Sequence, residues 1–457
     1  MTDMNHSEFT LNIPGSDKPR LVIVGGGFGG VHLLRSISKN DFQVVLLDRY
    51  NYHTFQPLLY QVATAGLEPD SVAGPLRKIM DQDNEVYFRM VTVERVLPTK
   101  NEIETNAGNL KFDYLVIATG AKMNFFGNKS IAENSFPLKQ VTHALDLRSH
   151  IFQQFERLEI TKQGLKDSEP INFVVVGAGP TGVEVCGALA ELKGHALHKD
   201  YPELDIKKMK IYLIEGLDRV LPSMSEKAGK KAHSYLDKMG VQIILNTMIE
   251  EYDGQIAKLN SGKEIPTKTL IWAAGVKGNL LQGFENESIE KGKLLVNEYN
   301  QVRKSKSSTE VFERIFAIGD VSFMKTGDYE AGLPGLAQAA IQQGKHLAKN
   351  LKRMKENRQP GKFKYKNKGV MATVGRNKAI ADLPGNIKVF GFAGWLMWMM
   401  VHLLFLVGFR NKAVVFANWV WNYLTYDRGI RLILRPSSKE KDEISHKMEM
   451  EMNEAKG

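Results

Sequence analysis

Two glycine-rich segments carry the residue types that bind the phosphates of a dinucleotide. They are Gly25-Gly26-Gly27-Phe28-Gly29-Gly30 and Gly177-Ala178-Gly179-Pro180-Thr181-Gly182. In such a turn the first glycine allows a tight bend, the second allows the backbone to approach a pyrophosphate, and the third allows a helix to pack closely on a strand. The N–H groups at the start of the helix favour the phosphate charge. Both segments therefore predict a phosphate-binding turn.

An acidic residue ends the apolar run that follows each turn. Asp48 comes 18 residues after Gly30, and Glu215 comes 33 residues after Gly182. A carboxylate at this place accepts hydrogen bonds from the ribose hydroxyls of a dinucleotide. Glu215 also disfavours a 2′-phosphate, which favours NADH over NADPH, although Arg219 weakens that preference. The longer second spacing predicts an inserted segment before Glu215.

Apolar runs before and after the turns predict two strand–turn–helix–strand units. Further strand ends are expected to complete the two sites. These are Ala118-Thr119-Gly120 after the run at 114–117, Ala274-Gly275 after the run at 271–273, and Gly319-Asp320 after the run at 315–318. Two units imply two dinucleotides, and the reasonable assignment is FAD in the first and NADH in the second.

Three polar side chains on predicted helices are candidates for the reaction itself. Glu184 follows the second turn, where a carboxyl group can position a hydride donor or pass a proton, or can simply compensate the helix dipole. Gln338 and Gln342 are spaced i,i+4 on a helix that is predicted to begin near Leu333 and to include Ala337. They share a face that can hydrogen-bond a flat carbonyl compound. The alternative is a solvated polar face.

The cysteine count limits the redox chemistry. Cys186 is the single cysteine among 457 residues. One thiol cannot form an internal disulfide, a CxxC pair or a cysteine-based metal site, and no metal site is expected. Electrons must therefore pass through a bound cofactor.

The C-terminal region predicts contact with a membrane. Residues 389–409 form a stretch of 21 residues without Asp, Glu, Lys or Arg, which is long enough to span a membrane. Residues 413–426 place Asn418, Asn422 and Thr425 on one helical face, as in an interfacial helix. Whether 389–409 crosses the bilayer or lies on it is left open, and a buried core helix or a dimer interface is the alternative. The flanking basic residues are Arg410, Lys412, Arg428, Arg431 and Arg435. The net charge of +10 is thus assigned to a lipid surface, and no nucleic acid is expected because no reading motif accompanies it.

These features resemble type II NADH dehydrogenases, the single-subunit NADH:quinone oxidoreductases that do not pump protons. The resemblance extends from about Pro19 to about Arg435. It is carried by the two glycine turns, Phe55-Gln56-Pro57-Leu58-Leu59, the IFAIGD run that ends at Asp320, and the segment 395–410. The most specific feature is Ala337-Gln338-Ala339-Ala340-Ile341-Gln342, which matches the family's AQxAxQ quinone-site motif.

The resemblance implies that NADH gives hydride to the flavin N5 of FAD and that a membrane quinone then takes two electrons and two protons. It implies that Gln338 and Gln342 line the quinone site, that Glu184 aids charge transfer with NADH, and that Asp320 accepts a hydrogen bond from a ribityl hydroxyl rather than only capping a turn. C-terminal helices would hold the enzyme on the cytoplasmic side of the inner membrane. A homodimer is expected only from the family.

The predicted fold is α/β, with two Rossmann-like dinucleotide-binding domains of the pyridine nucleotide-disulfide reductase-like, two-dinucleotide-binding flavoprotein class, and a C-terminal membrane-associating helical module. The predicted limits are residues 19–165 and 301–360 for the FAD-binding domain, 166–300 for the NADH-binding domain, 361–436 for the C-terminal anchoring and quinone-site module, and 437–457 for a polar tail.

Two other functions remain open on the sequence. A reductase of the same fold would pass electrons to oxygen or to a small redox protein, and a membrane-tethered flavoprotein would bind NADH only as a signal. Relatives that use a disulfide or sulfide are excluded by the single cysteine. The three functions differ in whether NADH bleaches the flavin and whether a quinone restores its colour.

Overall fold

The computed structural model describes residues 10–80, 85–160, 171–406, 408–425 and 430–434. The predicted polar tail at 437–457 and the flanking Arg428 and Arg435 lie outside these residues. The chain forms two compact units. Unit 1 comprises Met1–Thr54, Gly74–Lys122 and Val276–Asn367, and unit 2 comprises Phe55–Ala73, Met123–Gly275 and Lys368–Gly457.

The helices are numbered in chain order. They are α1 (Phe28–Ser36), α2 (Leu59–Ala63), α3 (Leu76–Ile79), α4 (Lys129–Asn134), α5 (Val141–Ile160), α6 (Pro180–Glu191), α7 (Leu197–Asp200), α8 (Glu226–Lys238), α9 (Ala337–Lys355), α10 (Gly391–Phe405) and α11 (Phe409–Thr425).

A largely parallel sheet forms the centre of unit 1. Its strands, in spatial order, are Ile289–Glu290, Lys293–Val296, Gln301–Arg303, Val311–Ala317, Tyr114–Ile117, Arg20–Val24, Gln43–Asp48 and Val86–Met90, and Ser322–Met324 pairs with Lys293–Val296. After Arg20, strand Arg20–Val24 is apolar and buried, as expected for a strand covered on both faces. Its core includes Val22, Val45, Leu115 and Ile315.

A five-stranded parallel sheet forms the centre of unit 2. Its strands, in spatial order, are Phe136–Pro137, Thr269–Trp272, Asn172–Val176, Lys210–Ile214 and Val241–Ile244. In unit 1 the strand before the glycine turn, Arg20–Val24, lies between Gln43–Asp48 and Tyr114–Ile117. In unit 2 the corresponding strand, Asn172–Val176, lies between Lys210–Ile214 and Thr269–Trp272. Each sheet therefore reverses its strand order beside the glycine turn, which is where ligands bind in such folds.

Smaller sheets and strands complete the units. Unit 1 has one three-stranded antiparallel sheet, formed by Val93–Leu97, Glu102–Thr105 and Gly108–Lys111. Unit 2 has two such sheets, one formed by Ile249–Tyr252, Ile256–Leu259 and Glu264–Pro266, and the other by Val370–Thr373, Ala379–Leu383 and Ile387–Phe390. The remaining short strands are Tyr52–Thr54, Ala73–Pro75, Ala121–Met123 and Val276–Gly278.

The helix that carries the two candidate glutamines begins later than the sequence predicts. It starts at Ala337 rather than near Leu333. The backbone N–H of Leu333 donates to the carbonyl of Met324 across 3.0 Å, so the segment before the helix follows a neighbouring strand. Gln338 and Gln342 consequently lie in the first turns of α9, and Pro334 lies outside it.

Two residues of the predicted polar face of α11, Asn418 and Asn422, are half-buried against unit 2. Asn418 donates to Glu68 across 2.7 Å, and Asn422 donates to the carbonyl of Gly66 across 3.1 Å. The polar face expected from the sequence thus has partners within unit 2, and the interfacial position of the helix stays a prediction. The exposed side of α11 is apolar instead. Within the described part of the chain, no helix combines the length and the apolar character that a membrane crossing needs.

Candidate functional site

The carboxylate of Asp48 holds the first glycine turn. It accepts the backbone N–H of Gly26 across 2.6 Å and that of Tyr50 across 2.8 Å. Burial raises the pKa of Asp48 above its ordinary value, and these N–H donors oppose the rise. The acid predicted to bind a ribose therefore also fixes the turn that would face the pyrophosphate.

Glu215 has the same two contacts in unit 2. It accepts the backbone N–H of Ala178 across 2.7 Å and that of Leu217 across 2.9 Å. The additional residues before it form the π-helical turn Leu192–Ala196, helix α7 and a short turn at Ile206–Lys208. Because these lie before strand Lys210–Ile214, they leave the strand end in register. Glu215 is thus the geometric counterpart of Asp48 despite its longer spacing.

In both turns the third glycine is packed tightly against backbone, whereas the second glycine has open space beside it where a pyrophosphate would lie. A Cβ atom at Gly30 would overlap the carbonyl oxygen of Gly25, and one at Gly182 would overlap that of Gly177. Among the residues that the structure describes, and apart from the two chain neighbours, no atom lies within 4 Å of the Cβ position at Gly27 or Gly179. This pattern is the one that a dinucleotide requires, so the residues of each turn fit a dinucleotide such as FAD or NADH.

The strand ends predicted to complete the sites lie beside the two turns. Gly25 packs so closely on the backbone of Ala118 that a Cβ atom there would overlap it, and Thr119 donates its hydroxyl to the carbonyl of Asn279 across 2.7 Å. Asn279 in turn donates its N–H to Gly120 across 2.9 Å.

Unit 2 repeats this packing at its own turn. A Cβ atom at Gly177 would lie 2.8 Å from the Cα of Ala274. Gly275, with a φ of +70°, follows, and its carbonyl accepts the N–H of Asn124 across 3.3 Å. Thr181 lies exposed in the first turn of α6. Each glycine turn is therefore backed by the end of a neighbouring strand.

His53 is a neighbour of the first turn that the sequence did not predict. Its Nδ1 lies 2.8 Å from the carbonyl oxygen of Gly26, and its ring meets the edge of Phe28 with centroids 5.0 Å apart. Burial lowers the pKa of His53 to about 4, so the ring is neutral. Its Nε2 is buried without a hydrogen-bond partner among the described residues, and an FAD atom can supply one.

Gly319 and Asp320 lie beside the start of α9. Gly319, with a φ of +73°, donates its N–H to the side chain of Gln343 across 2.8 Å. Gln343 is 1% exposed and was not among the predicted site residues, although it directly follows the matched motif. Asp320 is half-buried, and its Oδ1 lies 3.4 Å from the Cβ position of Gly335.

The two candidate glutamines differ in their surroundings. Gln342 donates its amide to the carbonyl of Lys366 across 2.9 Å and accepts the N–H of Lys366 across 3.0 Å. An amide retains one further donor and one further acceptor site after two such bonds. Gln338 is half-buried one turn earlier on α9, next to Ala337.

Glu184 lies buried on α6, with 7% of its surface exposed. Its carboxyl accepts the backbone N–H of Thr373 across 3.4 Å. Burial raises the pKa of Glu184 to about 8, so the side chain carries its proton at neutral pH. A neutral side chain does not compensate a helix dipole, and positioning of the hydride donor and proton transfer both stay predictions for Glu184.

Two protein families match consecutive parts of the chain. Residues 19–344 match the family described as pyridine nucleotide-disulphide oxidoreductase, and residues 367–426 match the NDH2 C-terminal domain. The first match covers both glycine turns and the start of α9 with Gln338 and Gln342, and the second covers α10 and α11.

Solved structures share the fold. The structure of NDH2 from Plasmodium falciparum in complex with NADH has a TM-score of 0.81 at 20% identity, covering 92% of this chain and all of that one. The sulfide:quinone oxidoreductase from Aquifex aeolicus has a TM-score of 0.67 at 19% identity, covering 90% and 96%. At these identities the likeness concerns the fold, and it confirms the predicted α/β class.

Closer relatives establish the family. The type II NADH:quinone oxidoreductase Ndh of Mycobacterium tuberculosis is 32% identical over 422 residues, which cover 90% of this chain and 89% of the relative. That of Staphylococcus aureus is 29% identical over 382 residues, covering 81% and 90%. These relatives and the matched C-terminal domain confirm the resemblance inferred from the sequence. The chain belongs to the type II NADH:quinone oxidoreductases, a family of FAD-dependent enzymes.

Proposed function

We propose that this chain oxidises NADH in unit 2 and reduces a membrane quinone, without pumping protons. The observation that carries the proposal is the repeated contact of an acid with a glycine turn, at Asp48 and at Glu215, in a chain of this family. Bound FAD supplies a centre that takes two electrons from one substrate and gives them to the other. The chain's own residues bind, orient and provide protons.

Unit 1 holds the FAD. The open space at Gly27 and the N-terminus of α1 receive the pyrophosphate, while Asp48 binds the ribose with the lone pairs left after its bonds to the turn. Asp320 is assigned to a ribityl hydroxyl, and His53 offers Nε2 to the same ligand. A rigid support exists for these groups, because a Cβ atom at Gly344 of α9 would lie only 2.5 Å from the backbone of α1.

Unit 2 holds the NADH in the same way. Gly179 leaves the space for the pyrophosphate, and Glu215 binds the ribose. A 2′-phosphate would place negative charge next to the Glu215 carboxylate, so NADH is preferred to NADPH. Glu184, one turn into α6, positions the nicotinamide end and holds a proton at neutral pH.

Gln338 and Gln342 receive the quinone. Their shared face on α9 presents amide groups that hydrogen-bond quinone oxygens. Gln342 also fixes the backbone of Lys366 through two hydrogen bonds, which pre-orients its amide. Loss of this side chain is therefore expected to affect quinone reduction more than NADH oxidation.

The exposed faces of α10 and α11 contact the lipid. On α10, an apolar stripe with a spacing of four residues consists of Phe392, Leu396, Met400 and Leu404, which are 45% to 67% exposed. On α11, the exposed apolar side chains are Phe416, Val420, Trp421 and Leu424. A contiguous apolar surface of this kind marks an interaction site in a folded protein.

Lipid is the occupant that this surface fits. Trp421 is an aromatic side chain of the type enriched at membrane interfaces, and the basic residues Arg410 and Lys412 at the start of α11 can reach anionic headgroups. We therefore propose that the protein lies on the cytoplasmic side of the inner membrane without a span. A homodimer would instead bury the surface in a second copy, and the oligomeric state in detergent distinguishes the two arrangements.

A steady-state assay tests the proposed function. Full-length, FAD-loaded protein bound to vesicles is given NADH with a membrane quinone, with oxygen, or with a soluble redox dye as acceptor. NADH oxidation that requires the quinone supports the proposal. Equal rates without quinone would indicate the soluble-acceptor reductase, and no oxidation with any acceptor would indicate a protein that only binds NADH.

A further inference from the structure

Unit 1 contains a basic cleft of about 290 Å³ at the end of its central sheet that lies opposite the first glycine turn. Arg20 and Gln43, which line this cleft, begin two parallel strands of the sheet, and Asp113 directly precedes a third. The residues assigned to FAD lie at the carboxyl ends of the same strands. About 16 Å of extended chain separates Arg20 from Gly25, at about 3.3 Å per residue. The cleft is therefore a separate space in the same unit.

The cleft carries a strong positive charge. Five basic residues and one acidic residue line it, namely Lys18, Arg20, Lys100, Lys111 and Arg314, and Asp113. Glu85 neutralises one of the cations, since its carboxylate lies 2.7 Å from the Nζ of Lys18. Within the described part of the chain, no carboxylate forms an ion pair with the side chains of the other four. A concave surface with such an excess of one sign of charge attracts anions.

Arg20 is the fixed cation of the cleft. Its Nε donates to the side-chain oxygen of Gln43 across 2.6 Å, and its two terminal nitrogens donate to the carbonyls of Lys111 and Pro14 across 3.3 Å and 3.1 Å. Gln43 is 1% exposed and donates its own amide to Pro14 across 2.9 Å. Uncharged oxygens thus hold the guanidinium group without cancelling its charge. Each terminal nitrogen keeps one further N–H for a ligand.

Three adaptable cations accompany the fixed one. Lys100, Lys111 and Arg314 are exposed, and among the described residues their side-chain nitrogens form no hydrogen bond or ion pair. Glu102 lies directly across from Lys111 in the antiparallel pair, but it does not line the cleft. Lysine offers a point charge on a flexible stem, and the planar fork of arginine can bind two phosphate oxygens at once. Together these side chains suit an anion with several oxygens.

The rest of the wall favours a compact ligand. Phe112 is the single aromatic side chain among the described residues of the wall, and it is 4% exposed and belongs to the core of the unit, so it offers little ring surface to a nucleobase. Asn101 adds an amide that can donate to an oxyanion. Asp113 opposes an anion, but one of its oxygens already accepts the backbone N–H of Arg20 across 2.7 Å. Four uncompensated cations exceed this one acid.

We propose that this cleft is a binding site for a diphosphate group, which is either free or the phosphate end of a nucleotide whose base stays outside. The two terminal nitrogens of Arg20 bind one phosphoryl group, and Lys100, Lys111 and Arg314 close on the remaining oxygens. Because the cleft and the first glycine turn lie at opposite ends of the same strands, FAD and the diphosphate bind together. No step of NADH oxidation or quinone reduction uses this site, so it is independent of the proposed function.

Isothermal titration calorimetry of the FAD-loaded, full-length protein with inorganic pyrophosphate tests this inference. Saturating NAD⁺ is present throughout, so that the second glycine turn does not bind the probe. One binding event is expected. Lys100→Gln combined with Arg314→Gln should weaken it by at least about tenfold, because two of the four uncompensated cations are lost.

A matched control removes the same charge elsewhere in unit 1. Lys306 and Lys349 are exposed and do not line the cleft. Lys306→Gln combined with Lys349→Gln should leave the Kd within about twofold of the wild-type value, since screening by salt limits the effect of distant charges. Equal weakening in both double variants would mean a general attraction to a basic surface and would overturn the inference. Absence of pyrophosphate binding to the wild type would overturn it as well.

A titration with ADP under the same conditions identifies the source of the diphosphate group. An affinity similar to that of pyrophosphate indicates a nucleotide whose base lies outside the cleft, and a much weaker affinity indicates free diphosphate. Both results agree with the proposed site. Much tighter binding of ADP that persists in the variant Lys100→Gln with Arg314→Gln would contradict it, because the base would then determine recognition.

Chemical modification locates the bound probe in the unaltered protein. Acetic anhydride modifies exposed lysine amines, and mass spectrometry of the peptides measures the extent at each lysine. Pyrophosphate should lower the modification of Lys100 and Lys111 and leave that of Lys306 unchanged. Equal protection of all three lysines, or protection of none, contradicts the inference. Neither measurement involves turnover, so a protein that fails to reduce quinone but shows this protection would refute the proposed function and leave the diphosphate site standing.

Discussion

Glu215 accepts the backbone N–H of Ala178 across 2.7 Å, as Asp48 accepts that of Gly26 across 2.6 Å. Each acid therefore joins the end of one strand to the glycine turn that follows the neighbouring strand. The contact stabilises the turn before any ligand binds, because it satisfies a backbone N–H that would otherwise be free. The ribose acid and the phosphate turn thus form one rigid element in each unit.

The first prediction concerns the choice between NADH and NADPH. Glu215→Gln keeps an oxygen for one of the two N–H groups of the turn but removes the charge that disfavours a 2′-phosphate. The ratio of kcat/KM for NADH to that for NADPH should fall by about tenfold. Measured kinetics with both nucleotides check this, and an unchanged ratio would mean that Glu215 does not face the ribose.

The second prediction separates a binding glycine from a packing glycine in the same turn. Gly179 has a φ of −68° and open space at its Cβ position, so Gly179→Ala should fold with normal FAD content while NADH binds at least about tenfold more weakly. Gly182→Ala should lower the Tm, because its Cβ atom would overlap the carbonyl of Gly177. Thermal denaturation and NADH titration compare the two variants. Normal NADH affinity in Gly179→Ala would show that no pyrophosphate lies there.

Much of the fold can be predicted because its signals are local. The strand at Arg20–Val24 has the predicted bounds, and the strand that ends before Glu215 lies where the apolar run predicts it. Such runs are short, apolar and followed by glycine, so periodicity and turn chemistry agree. The equivalence of Glu215 and Asp48 was harder to predict, since a count of residues does not show that an insertion leaves the strand register intact.

Long-range contacts explain what the sequence could not show. His53 reaches Gly26 through the fold, and no local pattern distinguishes it from an ordinary core histidine. Leu333 follows a strand instead of starting α9 because its N–H pairs with Met324, which is a tertiary contact that overrides helix signals. The inward direction of Asn418 likewise depends on a distant partner, Glu68. The spacing of side chains predicts which of them share one face of a helix, but it does not predict which other residues pack against that face.

The third prediction is a pH dependence of stability caused by Glu184. Its pKa is about 8 in the folded protein, against a usual 4.5, so proton binding favours the folded state. Between these values the unfolded chain ionises while the folded one does not, and stability therefore falls as pH rises from about 4.5 to 8. The loss is on the order of a few kcal/mol.

Glu184→Gln removes this dependence because an amide does not ionise. The variant should gain a few degrees of Tm over the wild type between pH 5 and pH 8, and little below that range. Scanning calorimetry of FAD-loaded protein across pH measures the difference. Parallel curves for the two proteins would show that Glu184 ionises normally.

The fourth prediction concerns membrane attachment. Leu404 and Leu424 are 67% and 72% exposed on α10 and α11. Because inserting a leucine side chain into lipid is favourable by about 1.5–3 kcal/mol, Leu404→Ser and Leu424→Ser together should weaken vesicle binding by at least about tenfold. The control is Met248→Ser, at a side chain that is 60% exposed on a different part of unit 2. Equal binding of all variants in a sedimentation assay would place the lipid contact elsewhere.

The most direct test of the central claim is an anaerobic stopped-flow measurement of the two half-reactions. NADH is mixed with FAD-loaded protein and the flavin absorbance is followed; a membrane quinone is then added in a second mixing step. The absorbance should fall with NADH and return with the quinone, and Gln342→Ala should slow the return more than the fall. A flavin that NADH bleaches but quinone does not restore would contradict the assignment of this chain as a quinone reductase.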